Sequence, residues 1–155
     1  KLFETTAGIE ALVVPYKGSP AVLTALRAGE IDLAVEVLGP MLPQVQAGAV
    51  RALAVTSGRR HPALPEVPTV QQAGVAGYDV ASWNGIAAPA ATPPAVLATL
   101  ARALQAALAD PAVQDKLARA GLRVQPGAPG DLQALLTREI SRWGEVIRAA
   151  KIEPE

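Results

Sequence analysis

Apolar runs and amphipathic stretches alternate along the first third of the chain. Ala11-Leu12-Val13-Val14 is a continuous apolar run, as expected of a strand buried on both faces of a parallel sheet. Ile31 to Val35 and Val50 to Val55 are apolar-rich, each with one charged residue, Asp32 and Arg51, and read as the second and third strands. Between the first two, Ser19-Pro20 reads as a helix cap and first helical position. Val22, Leu23 and Leu26 line that helix's apolar side, and Gly29 ends it. Pro40 to Ala47 predicts a short helix closed by Gly48, and residues 1–7 the tail of a helix stopped at Gly8. Strand, helix, strand, helix, strand at this spacing is βαβ architecture with right-handed crossovers.

The pattern then changes. Residues 56–69, TSGRRHPALPEVPT, read as a proline-punctuated surface loop. Thr69 is placed to cap a short helix ending near Gly74. Residues 78–90, YDVASWNGIAAPA, read as one long extended segment. Beyond them Leu97, Leu100, Leu104 and Leu108 stripe a helix from about Pro94 to Ala109. Asp110 caps a second helix to Ala120, Gly121 stops it, and Leu122 to Val124 is a short strand. Leu132, Leu136, Ile140, Trp143 and Ile147 stripe a final helix. The division expected is an α/β unit over residues 1–80, a crossover strand over 81–90, and a helical unit over 91–155.

Composition narrows the function. The chain has 155 residues, half of them hydrophobic, yet only five are aromatic. Small aliphatic side chains must supply the packing. A compact chain of this length buries roughly 68–70% of its unfolded surface. Fourteen basic residues balance fourteen acidic ones, which argues against a nucleic-acid or anionic-membrane partner. The chain has no cysteine, so disulfides and thiolate chemistry are excluded. No run approaches the roughly 18 apolar residues of a membrane span, and no signal peptide is visible. The only methionine is Met41; Lys1 is therefore expected not to be a translation start.

Candidate chemistry sits past the ends of the first two strands. Tyr16, Lys17, Gly18, Ser19 and Pro20 follow one; Glu36 and Val37 follow the other. In open α/β sheets the ligand crevice lies beyond the carboxyl ends of the strands. A helix starting at Pro20 would present free N–H groups around Ala21 and Val22 and the positive end of its dipole. A carboxylate or phosphate suits such a place. Gly18 allows close approach, and Ser19 can cap the helix or turn to a ligand. Glu36 can accept a bond from a ligand hydroxyl or amine, or pair with Lys17. Taken alone, Ser-Pro is an ordinary helix start and Lys17 an ordinary solvated turn residue.

A resemblance adds to this. VPYKGS, RALAVTS and PALPEVPTV, with GYDVASWNGIAAPAATP and LADPAVQDKLARAGL further on, are similar to the Bug-type solute receptors of tripartite tricarboxylate transporters. The likeness runs over essentially the whole chain. It implies a type II periplasmic-binding-protein fold, present in part: one βαβ lobe plus the helical C-terminal share of the other lobe. It implies a small carboxylic acid as ligand, a membrane permease as partner, a periplasmic location and no cofactor or metal. It places Gly18, Ser19 and Pro20 where the second lobe faces ligand. Glu36 stands where such receptors usually have aspartate, and Val37 where asparagine is frequent. Ser82 and Trp83 fall on the crossover, with Trp83 expected to pack at a hinge. The family's N-terminal part, including a loop that grips the ligand carboxylate, would precede Lys1. The stripes of residues 94–150 would then lack the sheet they cover, and are expected either to meet a second copy or to repack.

Three other readings compete. An enzyme lacks support: His61, the only histidine, is expected to be solvent-exposed in its loop, with no carboxylate pair or ligand cluster around it. A regulator's effector domain can share the two-lobed fold. An oligomerising fragment without a working site is the third. Arg59 and Arg60, on the surface loop, are candidates for meeting the permease.

Overall fold

A computed structural model of the chain describes residues 1–149. Among the described residues six helices form: α1 (Leu2–Ala7), α2 (Ser19–Ala28), α3 (Leu38–Gln46), α4 (Pro94–Ala109), α5 (Pro111–Arg119) and α6 (Pro129–Ala149). Each starts and stops close to where the apolar spacing and the Gly or Pro punctuation place it. The Asp110 side chain accepts from the Ala112 N–H and caps α5 as expected. The short helix at Thr69 is instead a turn. Thr69 Oγ1 accepts from the Gln72 N–H at 3.1 Å, and Gln72 Oε1 takes the Thr69 N–H at 3.1 Å.

The predicted strands do not join a ladder. Residues 9–16, 33–37, 51–54, 78–89 and 122–128 run without helix, turn or bend, but among the described residues the sole β pairing is a parallel bridge between Val55 and Thr69. The reason is local. A strand is stable only beside another strand, and apart from the Val80 N–H, which donates to the Thr56 carbonyl at 2.9 Å, these segments make no backbone pairing with one another among the described residues. Their apolar side chains are exposed as a consequence, Leu12 at 92% and Ile86 at 72%.

The core among the described residues is small. Ala25 from α2 and Met41 and Leu42 from α3 are buried, together with Leu64, Val70 and Tyr78 from the connecting segments. Tyr78 meets Phe3 of α1 edge-to-face, with ring centroids 5.6 Å apart, a favoured aromatic geometry. The Arg142 guanidinium of α6 donates to the Asp79 carbonyl at 2.6 Å and ties the last helix to this region. None of α4, α5 and α6 has a fully buried residue. Their stripes are half-buried at Leu104, Leu132, Leu136 and Trp143 and exposed at Leu97, Leu100, Ile140 and Ile147.

The whole chain exposes 11357 Å². A compact monomer of its 15.9 kDa exposes about 7,400 Å² by the mass scaling of folded proteins. The compact closure expected from length alone is not reached. No single described helix is long and apolar enough to cross a membrane.

Thr69 is the one fully buried polar side chain among the described residues, at 2% exposure. Thr69→Ala leaves the Gln72 amide without its acceptor and is expected to destabilise the chain by about 1–2 kcal/mol, read as a lowered urea midpoint.

Candidate functional site

The first apolar segment leaves its straight course at Lys17-Gly18. The Gly18 N–H donates to the Tyr16 carbonyl at 3.1 Å, and Gly18 adopts φ 87° and ψ 163°. That region of backbone space is essentially restricted to glycine and costs another residue about 1–3 kcal/mol. A Cβ here would meet only Pro20 Cδ, at 3.8 Å, so it is the torsion and not crowding that demands glycine.

Gly18 is the N-cap of α2, Ser19 its first residue and Pro20 its second. The cap thus lies one residue earlier than the Ser-Pro pair suggested. The Ser19 hydroxyl does not cap the helix; it donates to Glu36 Oε2. Ala21 and Val22, expected to offer free N–H groups, instead donate to the Gly18 carbonyl at 3.2 and 3.4 Å. Among the described residues no backbone acceptor takes the Ser19 N–H. The helix end is left with this donor and the Ser19 hydroxyl.

The Ser19–Glu36 bond brings together the turns after the first two apolar segments. The sequence placed both on one rim, and these two residues do meet. Glu36 and Val37 are exposed. Lys17 is exposed as well and forms no ion pair with Glu36 among the described residues. Tyr16 is half-buried beside the turn. Residues 16–21, 36 and 37 line neither of two cavities formed elsewhere by the described residues.

The larger of these cavities, about 250 Å³, is lined by His61, Gln114, Ala118, Leu122 and Arg123 among others. His61 is not solvent-exposed, contrary to the expectation from its polar loop. It is half-buried, and Nδ1 accepts the Ala63 N–H at 3.2 Å. Nε2 is closed to solvent without a hydrogen bond of acceptable geometry. Burial, and secondarily the Arg123 charge, pull the imidazole pKa below its ordinary value, against a smaller opposing pull from the Gly121 carbonyl. Arg123 carries no recognisable motif, so its approach to His61 was not legible in the sequence. Arg60 is bound within its own loop, donating to Gln72 Oε1 at 2.8 Å and to the Pro65 carbonyl at 2.9 Å. Arg59 is exposed, as is Ser82. Trp83 is 42% exposed and lies near Gly85, which in turn abuts Leu132 of α6. No group of three or more His, Cys, Asp or Glu among the described residues is arranged to hold a metal.

The family pattern described as "Tripartite tricarboxylate transporter family receptor" matches residues 1–152. The chain belongs to that family. A relative named for its place in the tcbD-tcbE intergenic region of Pseudomonas sp. is 39% identical over 147 residues, 94% of this chain and 44% of the relative. Among solved structures, an R. palustris protein with adipate superposes with a TM-score of 0.86 at 38% identity, over 99% of this chain and 52% of its own. The periplasmic binding protein BugD gives 0.81 at 33% identity, over 99% and 52%. MatC from Rhodopseudomonas palustris, with bound malate, gives 0.77 at 33%, over 94% and 51%. The fold is thus that of the periplasmic binding proteins, present in part, as the resemblance implied. The chain spans about half the length of these relatives.

The lowered His61 pKa has a defined sign. The unfolded imidazole, near 6.5, takes up its proton before the folded one does. This group therefore contributes full stability above about pH 6.5, and the contribution is lost as pH falls from there toward the folded-state value. Thermal unfolding of the native chain should fall more steeply between pH 7 and 5 than that of His61→Gln; equal slopes would contradict it.

Proposed function

We propose that this chain is part of an extracytoplasmic receptor that binds a small carboxylic acid for a tripartite tricarboxylate-type transporter. The observation that carries this reading is the Ser19–Glu36 junction at the start of α2, in a chain that superposes on proteins solved with adipate and with malate. The Ser19 N–H and the helix dipole favour a ligand carboxylate. The Ser19 hydroxyl can turn from Glu36 to the ligand, and Gly18 leaves the approach open. Glu36 would accept a bond from a donor on the ligand rather than meet its carboxylate. Tyr16, Lys17, Pro20, Ala21 and Val37 complete the proposed rim.

Residues 1–80 would form most of one lobe, 81–90 the crossover, and 91–155 the helical share of the other. Solute recognition would proceed by closure of the lobes. Tighter binding to the closed form shifts the population toward it, and the membrane permease would receive that form. The periplasm is the expected compartment. A binding role without turnover fits the site, where Glu36 has a serine partner and no second carboxylate or base beside it.

Most of the proposed rim is exposed to solvent, so affinity of this chain should be low. Titration with adipate or malate is expected to shift the Ser19 amide resonance saturably with a Kd on the order of 1 mM. Ser19→Ala should weaken binding about tenfold, the worth of one charge-assisted bond. Unchanged Ser19 and Gly18 resonances at saturating dicarboxylate would refute the reading.

A further inference from the structure

Two glycines far apart in the sequence meet backbone to backbone. Gly121 closes α5 in a left-handed turn, with φ 74°. The Gly121 N–H donates to the Ala118 carbonyl at 3.0 Å and the Leu122 N–H to the Leu117 carbonyl at 2.9 Å, the paired bonds that end a helix in a fixed geometry. A Cβ on Gly121 would lie 2.9 Å from both N and Cα of Gly39 and 3.2 Å from the Leu38 carbonyl carbon. The approach is reciprocal, because a Cβ on Gly39 would lie 2.7 Å from the Ala120 oxygen. All these neighbours are backbone atoms, which cannot rotate aside.

Gly39 is the second residue of α3, and its φ is not positive. Glycine is a poor helix former. Neither torsion nor propensity accounts for it there; the closeness of α5 does. Gly121 stands apart in the same way. Gly8, Gly29, Gly48, Gly74 and Gly77 also have positive φ, yet a Cβ on any of them would meet nothing within 4 Å. The dipoles agree with the packing: the Ala120 carbonyl lies at the negative end of α5, against the positive end of α3. The far side of the turn is engaged as well, since Leu122 and Arg123 share a cavity with His61.

This contact adjoins the rim. Val37 is the N-cap of α3, and Glu36, which accepts from the Ser19 hydroxyl, directly precedes it. We propose that the turn closing α5 braces the ligand rim: Ala120 and Gly121, seated on Leu38 and Gly39, fix where α3 begins and so hold Glu36 and Val37 at Ser19. Gly39 and Gly121 are positioning residues for solute binding and touch no ligand. The inference rests on the rim being the binding site, and a readout without ligand separates the two.

The test is NMR on the 155-residue chain with Ser19 as reporter. By helix propensity alone Gly39→Ala would raise stability; the brace predicts a lower Tm and a displaced Ser19 amide resonance, both without ligand. Gly121→Ala should displace the same resonance from the other side of the contact, and the two substitutions combined should fall short of their sum. Gly48→Ala carries a similar torsional cost in open space and should leave Ser19 in place. Ala120→Gly adds no atom and loosens the brace, so it decides the matter if the alanine variants do not fold; it too should displace Ser19. With adipate as probe, Gly39→Ala and Ala120→Gly should weaken binding about fivefold, and Gly48→Ala should not. A Ser19 resonance that stays in place in the folded variants at 39, 120 and 121 overturns the proposal. So does adipate affinity that is measurable in the native chain and equal in those variants. Absence of adipate binding by the native chain, with Ser19 displaced as described, supports the brace and counts against the ligand reading alone.

Discussion

Extended backbone has to be paired. Each residue of a straight segment carries a donor and an acceptor that its own neighbours cannot satisfy, and apolar side chains on such a segment gain nothing until another surface covers them. Helices escape this constraint, because their hydrogen bonds close within four residues. The difference divides this chain into two kinds of structure. All six helices form at their expected places, capped by Gly18 and Asp110 in the two instances where the cap matters most. Among the described residues the segments between them pair only at the Val55–Thr69 bridge and at the Val80–Thr56 backbone bond beside it.

The same division governs the site. The turn at Gly18, the start of α2 and the Ser19–Glu36 bond are built from local torsions and one side-chain contact, so they are present without the rest of the sheet. An exposed hydrogen bond such as Ser19–Glu36 contributes little to stability in water; enclosed by a second wall it would gain strength from the lower dielectric.

The legible part of the sequence was its short-range part. Gly29 and Gly121 as stops, Asp110 as a cap and the leucine stripe of α4 each depend on residues within about two helical turns. The meeting of residues 19 and 36 was legible for a related reason: parallel strands joined by a helix bring their ends to one rim. His61 was misread because its burial depends on the turn after α5, some sixty residues away, and no spacing rule reaches that far. Arg142 reaching the Asp79 carbonyl is a second contact of this kind. The free amides expected at Ala21 and Val22 failed for a local reason, since capping by Gly18 supplies its carbonyl to both. The apolar runs identified strands by composition, but composition does not say whether a partner is present.

Solution scattering on the size-separated 155-residue chain tests the central claim most directly. A compact chain of this length has a radius of gyration of about 15 Å. An open half-fold predicts a monomer mass with a radius clearly above that value. A monomer at about 15 Å, or a stable dimer of compact shape, would contradict it.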